Sequence, residues 1–336
     1  MTRFILWVCL VMIVGGAQAQ NRKQLANFSQ YKHYYNPSLT GHEGAVLRSA
    51  YRNQWTGFED APKTILASAE LDLQKLGRSN RTFFSSQSAS RESERELSAQ
   101  HGLGLTLFHD QFGPAKETQA ALSYGAGVRL SEELSLRWGT AVTYTFHRLD
   151  GNSLTVDQEN DPRFSHVLGG ENRSGRADIN LGLSLTGDNF YLGYAMMEVT
   201  EGKLASSGGD YLNDFYARRH VGQIGYRQSI TDVLGLTING IYQHDNVNKS
   251  TLEGQLKAVY DNLFWVSGGY RNDLAYTLGA GLRLNQLAIG YTYETPTQEA
   301  RAIDKATNEV TLSYHLSALK RSSGNGRRRG ADLLIW

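Results

Sequence analysis

From Ala45 to Ser317 the chain reads as successive segments of about ten residues in which apolar and polar side chains alternate, with a tight turn at every second connection. In Gln286–Thr295, Leu287, Ile289, Tyr291 and Tyr293 share one face, while Ala288, Gly290, Thr292 and Glu294 share the other. Asp178–Thr186 and Glu309–Leu316 repeat this period of two. The period specifies strands with two chemically different faces. Soluble β-sandwiches alternate as well. Here the second face carries Gly, Thr, Ser and charged residues, which suits the polar lumen of a membrane barrel.

Fourteen candidate strands follow, at 45–54, 62–73, 98–108, 117–130, 133–148, 176–187, 189–198, 218–230, 233–244, 249–261, 263–271, 274–284, 286–296 and 307–317. An even number suits a single-chain bacterial barrel. The turns at Ser131-Glu132, Gly187-Asp188, Thr231-Asp232, Asp261-Asn262 and Asn285 are tight and, by parity, lie on one side. The long connections Leu149–Gly175, Val199–Ala217 and Thr297–Ala306 lie on the other. Outer-membrane barrels keep short turns in the periplasm and long loops outside, so both termini are expected in the periplasm. The fold expected is all-β: a transmembrane antiparallel β-barrel in the outer membrane.

Composition removes the main competitor. After residue 19 no apolar run approaches the roughly 20 residues that a membrane helix needs. Eighteen Tyr, five Trp and thirty-five Gly against five Pro suit aromatic girdles and a crowded lumen. The 336 residues make one large barrel without an interdomain linker.

The ends read differently. Residues 1–19 have the form of an export signal, with Thr2-Arg3, an apolar core Phe4–Val14 and the cleavage site Ala17-Gln18-Ala19. Cys9, the only cysteine, lies in that core and leaves with it, so no disulfide or thiol chemistry is expected in the mature chain. Residues 20–43 form an N-terminal periplasmic or plug segment with Leu25, Phe28, Tyr31, Tyr34 and Tyr35, and residues 44–317 form the barrel. Residues 318–336 form a basic tail with Lys320, Arg321, Arg327, Arg328 and Arg329 against Asp332, while residues 20–316 carry a net charge of −4. This tail is either a solvated end or a grip for an acidic periplasmic partner, and nucleic acid is not expected as a ligand. A second long polar stretch, Gln74–Leu97, falls on the side of the tight turns; connections of that size are usually functional or disordered.

The most specific local text lies around the first hairpin: Phe28-Ser29-Gln30-Tyr31, Asn36-Pro37-Ser38-Leu39-Thr40-Gly41, Tyr51-Arg52-Asn53-Gln54-Trp55-Thr56-Gly57 and Ala61-Pro62-Lys63-Thr64. Asn36-Pro37 starts a turn and Gly41 closes it before the first strand. Arg52 and Trp55 at the outer end of strand one supply a guanidinium beside a girdle aromatic, and an exposed pair of that kind is a common protein contact. Read as physics alone, these residues are barrel structure.

The order F-S-Q-Y, N-P-x-x-x-G, Y-R-x-Q-W-x-G and A-P-x-T resembles the PorP/SprF family of Bacteroidota outer-membrane proteins. Gly-Leu-Gly-Leu at 102–105 with Asp110 and Gly113 extends the likeness over most of the mature chain. Ser38 stands where the family more often has Ala, and the basic extension has no place in its pattern. The resemblance implies a role in type IX secretion and gliding motility, with a secreted adhesin or other cargo as one partner. Periplasmic secretion, motor or peptidoglycan-binding components are the others. It marks Asn36, Pro37, Gly41, Tyr51, Arg52, Gln54, Trp55, Gly57, Ala61, Pro62 and Thr64 as candidate partner-binding positions.

Signals for catalysis are thin. No zinc-protease, redox-cysteine, nucleophile-elbow or phosphate-loop pattern occurs, and no cofactor or metal is expected. The acidic loop residues Asp157, Glu159, Asp161 and Glu171 lack the spacing of an EF-hand. Gly-x-Gly at 102–104, 125–127 and 279–281 lies inside strands and reads as close lumen packing. An outer-membrane hydrolase would need a Ser/His pair at the outer rim, near His147, His166, His220 or His244. With the resemblance, the function implied is a non-enzymatic secretion or attachment barrel that works through protein contacts. The alternatives are a passive channel or hydrophobic-solute transporter, which would conduct ions, and an enzyme.

Overall fold

A computed structural model describes residues 24–73, 100–153, 171–208, 217–247, 250–297 and 305–316. Five strands follow the N-terminal segment: β1 (Val46–Asn53), β2 (Lys63–Asp72), β3 (Gln100–Phe112), β4 (Ala115–Arg129) and β5 (Leu134–Asp150). Then come β6 (Glu171–Gly187), β7 (Phe190–Met197), β8 (Ala205–Gly208), β9 (Arg219–Ser229) and β10 (Leu234–His244). The chain finishes with β11 (Thr251–Tyr260), β12 (Phe264–Arg271), β13 (Ala275–Leu284), β14 (Leu287–Pro296) and β15 (Thr307–His315). All pairs are antiparallel, and β15 returns to β1 with His315 opposite Val46, so fourteen strands close into a barrel.

The alternation foreseen in the sequence maps onto two solvents. Leu105, Leu122, Val142, Leu183, Ile224 and Leu278 face outward, whereas Arg48, Glu70, Thr106, Asn180, Gln255 and Thr292 are buried inside. This inverts the rule for soluble proteins and suits a wall between lipid and a polar lumen. Aromatic pairs mark both ends of the wall: Tyr260 and Phe264 with ring centroids 5.3 Å apart at the short-turn end, Tyr270 and Tyr276 at 5.0 Å at the other. The tight turns rest on residues that tolerate positive φ. Asp261, Asn262 and Asn285 have φ of 47°, 52° and 56°, the left-handed backbone that Asn and Asp adopt in tight hairpin turns.

Two features depart from the sequence reading. The third hairpin is tighter than expected, because β3 and β4 run to Phe112 and Ala115 with only Gly113 and Pro114 between them. The connection after β7 also contains a strand, β8, which pairs with the first part of β6 while β7 pairs with its second part. An inward carboxylate and an inward amide explain the fold-back. Asp178 accepts the backbone N–H groups of Thr200 (2.9 Å) and Gly202 (2.5 Å), and Asn180 accepts that of Glu198 (2.8 Å). The export signal 1–19, the stretch Gln74–Leu97 and the tail with Lys320, Arg321, Arg327, Arg328 and Arg329 lie outside the described residues.

The outward face yields a quantitative expectation. Leu122 sits mid-strand on β4, opposite Leu105 of β3, and is 62% exposed to what would be lipid. Leu122→Arg should destabilise the barrel by about 2–4 kcal/mol, the cost of arginine near a bilayer midplane. Equilibrium unfolding in lipid vesicles measures it, and an unchanged midpoint would remove the membrane-facing assignment.

Candidate functional site

Residues 24–45 occupy the lumen. Phe28–Gln30 form a 3-10 turn, Lys32–Tyr35 a single helical turn, and Pro37–Leu39 a second 3-10 turn. The breaks follow from local chemistry: Asn36 is extended, as residues before proline tend to be, and its Oδ1 accepts the N–H of Ser38 at 3.0 Å. The apolar side chains divide into two clusters against the wall. Phe28 and Tyr35 pack with Ala195, Met197, Val221 and Ile241, and Leu25 and Tyr31 pack with Ala50, Leu66 and Phe108. Tyr34 bridges them, stacked on Phe108 at 5.9 Å and edge-on to Tyr35 at 5.1 Å.

Glycines on the wall admit the backbone of this plug. A Cβ at Gly102 would stand 2.5 Å from the Thr40 carbonyl oxygen, and one at Gly125 would stand 2.8 Å from it. A Cβ at Gly139 would run into Pro37, and one at Gly182 into the Asn36 side chain. The segment Asn36–Gly41 therefore lies in a track of side-chain-free positions on β3 to β6. Hydrogen bonds complete the fit. Asn36 Nδ2 donates to the Leu183 carbonyl at 3.3 Å, Arg137 donates to the carbonyls of Ser38 (2.9 Å) and Thr40 (3.0 Å), and Gly41 N–H donates to Glu70 at 2.9 Å.

Two groups of buried charges hold the plug at its two levels. Toward the short-turn end, Glu43 pairs with Lys32 and Arg48, and Glu70 pairs with Arg48 and with His33 at 3.0 Å. Burial alone would raise the pKa of Glu43, but the charges of Lys32 and Arg48 hold it well below the usual carboxylate range. Toward the long-loop end, Arg52 donates to Glu294 at 2.8 Å and lies 3.6 Å from Glu309. Arg271 joins Glu294 at 3.2 Å to Glu253 at 2.9 Å. Glu309, fully buried, accepts the backbone N–H groups of Ala26 (2.8 Å) and Asn27 (3.0 Å) and so binds the plug directly.

The candidate positions from the sequence fall into three places. Asn36, Pro37 and Gly41 belong to the plug, and Gly41 has φ +70. Tyr51 faces outward, and Thr64 faces inward with its hydroxyl 2.6 Å from Asp110. The expected exposed pairing of Arg52 with Trp55 does not form: Arg52 is 4% exposed and points into the lumen, because strand alternation puts it on the face opposite Tyr51. Gln54, Trp55, Gly57, Ala61 and Pro62 build the first long-side loop, in which Trp55 (φ 53) and Gly57 (φ 90) have left-handed backbone. Trp55 meets Phe58 and Phe112 edge-on at 6.4 and 5.9 Å. Beside them is a pocket of about 280 Å³ lined by Asn53, Asp60, Lys63 and Gln111.

The histidines named from the sequence are dispersed. His147 lies 3.7 Å from Glu117, His220 contacts the Tyr194 hydroxyl at 2.6 Å, and His244 contacts Ser250 Oγ at 2.7 Å through Nδ1. His166 is outside the described residues. Among the described residues no carboxylate orients the His244 ring.

Three outcomes follow. Gly102→Ala should push the plug off its track at a cost of about 1–3 kcal/mol, as overpacking does, seen as protease sensitivity within residues 24–45 and a new ion conductance. Intact resistance and a silent bilayer would mean that the track is not needed. Arg52→Ala should cost about 3–5 kcal/mol, because it takes, among the described residues, the only guanidinium near the buried Glu309 and one of the two that hold Glu294; chemical denaturation reads the loss, and a wild-type midpoint would remove its bracing role. Acid should loosen the plug as well. Glu43 has a depressed pKa in the folded chain, so its contribution is present above the unfolded value of 4.5 and lost as pH falls toward the folded one. Thermal stability scanned downward from pH 6 should therefore drop below about pH 4.5, more steeply than in Glu43→Gln.

No curated protein matches the sequence. The outer membrane protein Omp33 of Acinetobacter baumannii aligns over 81% of this chain and 96% of its own at 7% identity and a TM-score of 0.42. The toluene transporter TodX of Pseudomonas putida aligns over 87% and 94% at 9% identity and 0.44. The translocator domain of the autotransporter NalP from Neisseria meningitidis aligns over 86% and 95% at 10% identity and 0.37. The family of the type IX secretion system membrane protein PorP/SprF matches residues 17–314. With that match spanning nearly the whole plugged barrel, the chain belongs to the PorP/SprF family of type IX secretion membrane proteins, located in the outer membrane.

Proposed function

We propose that this barrel is a non-enzymatic scaffold that assists export or surface attachment of one secreted cargo protein, of the adhesin class, through protein contacts. The observation that carries the reading is the filled lumen. Residues 24–45 are seated on glycines and held by buried ion pairs at two levels inside the barrel, which supports a scaffold over a passive channel or hydrophobic-solute transporter. Family membership supports work within the type IX secretion system. On this reading the partners are the cargo on the long-loop side and secretion, motor or peptidoglycan-binding components on the periplasmic side, with gliding motility as one use.

The contact surface best suited to cargo is the first long-side loop. Phe58 and Phe112 are exposed beside Trp55, next to a pocket with amide, carboxylate and ammonium groups on its walls. Aromatic anchors around a polar recess are the usual make-up of an interaction hot spot. The loop hydrogen-bonds to the last strand pair, Thr56 N–H to the Ala306 carbonyl at 2.8 Å, which presents these rings on a fixed frame.

The paired variant Trp55→Ala, Phe58→Ala should leave a heat-modifiable barrel and lower the cargo recovered at the cell surface several-fold. Immunoblots of intact cells, with affinity capture and mass spectrometry of solubilised envelopes, read both quantities. Wild-type surface levels would exclude this loop as the docking point. The wild-type protein should give no single-channel conductance in planar bilayers, and steady conductance would favour the channel reading.

A further inference from the structure

Hydrogen-bond donors without partners line one stretch of the lumen wall. Lys257 on β11 is 0% exposed, and its Nζ makes no hydrogen bond. It stands 4.7 Å from the centre of the Trp265 ring, which lies across Gly281 and Gly290 of the next two strands. Directly opposite Lys257 in the β10–β11 pair is Thr237, whose hydroxyl is also buried and unpartnered. At the next inward position of β10, Asn239 leaves Nδ2 free, its Oδ1 being taken by the Tyr191 hydroxyl at 3.1 Å. On β13, Arg283 is 7% exposed and leaves Nε and Nη1 unpartnered.

The local charge is unbalanced. The charges that act most strongly on Lys257 are Lys32, Glu43 and Arg283. Glu43, the one acid, is already committed to Lys32 and Arg48. A buried ammonium with no hydrogen bond, whose one acid among these charges is shared with two other cations, is far costlier than a missing neutral hydrogen bond. Cation–π attraction to Trp265 offsets only part of that cost. The unmet groups are chiefly donors, which is the chemistry of an anion site.

We propose that a small inorganic anion of chloride size binds between the plug and the β10–β11 wall, held by Lys257 Nζ with Thr237 Oγ1 and Asn239 Nδ2. The burial of all three residues favours a monatomic ion over a phosphate or a lipid headgroup. The position gives the ion a task. Lys32 of the plug rests 4.9 Å over the Tyr191 ring, beside Asn239, so an anion here screens Lys32 from Lys257 and locks plug to wall. The assembled barrel would thus depend on halide as well as on its own ion pairs.

The test uses the full-length chain in detergent. Its thermal midpoint is compared in sodium chloride, in sodium bromide and in sodium gluconate of equal ionic strength, with Lys257→Met alongside. A midpoint several degrees higher in both halides for the wild type, and equal midpoints in all three salts for Lys257→Met, are expected. No halide effect in the wild type, or an equal effect in the variant, would overturn the proposal. Crystals grown in bromide decide the matter should the variant fail to fold. An anomalous peak within hydrogen-bond distance of Lys257 Nζ and Thr237 Oγ1 is expected, and its absence would mean that water alone meets these groups.

Discussion

Charge removed from water must be met by charge or by hydrogen bonds, and the interior of this barrel is arranged around that requirement. Glu309 is the clearest case. A carboxylate buried on β15 takes two backbone N–H groups of the plug and a guanidinium of β1, so strand closure and plug seating share one residue. The β15–β1 pair is also where the barrel closes on itself, with Arg52 directly opposite Glu309 in register. A plug that binds at this seam completes the site in which Glu309 is satisfied. A wall without the plug would leave that carboxylate without its two backbone donors and Arg48 without Glu43.

Much of the architecture was legible because a period of two leaves little freedom once the outside is lipid. A one-residue slip would send Leu122 or Leu278 inward and Arg137 or Lys257 into the bilayer. The alternation of chemistry therefore specifies face, and the parity of turns specifies end. The Gly-x-Gly pairs at 102–104, 125–127 and 279–281 announced close approach correctly. What approaches them was not legible: plug backbone at Gly102 and Gly125, the Arg137 side chain at Gly127 and the Trp265 ring at Gly281. The plug contacts join residues 60 or more positions apart, and nothing local encodes them. β8 was hidden for the same reason, since its turn is held by Asp178 and Asn180 on a preceding strand.

Arg52 shows how a correct pattern can be read wrongly at an element's end. Its neighbours Leu47, Ser49 and Tyr51 occupy one face and Val46, Arg48 and Ala50 the other, so alternation alone assigns Arg52 to the lumen. Reading it instead as a rim residue beside Trp55 set aside the alternation of the strand expected at 45–54, which runs through Arg52 to Asn53. Trp55 does leave the strand, because its positive φ turns the chain into the loop. One motif thus serves two ends: its arginine braces the interior, and its tryptophan belongs to the surface.

This division bears on how such a barrel can act in secretion. The lumen side of the motif spends its polar groups on holding the plug, and the outward face of the strands is committed to lipid. Among the described residues, the long-loop rim carries the Trp55, Phe58 and Phe112 cluster, braced by backbone hydrogen bonds to Ala306 and Pro62. A rigid rim over a filled interior suits docking better than conduction, because rings already held in place lose little conformational freedom on binding. The glycine track and the buried ion pairs belong to the same arrangement, since both join plug to wall beneath that rim.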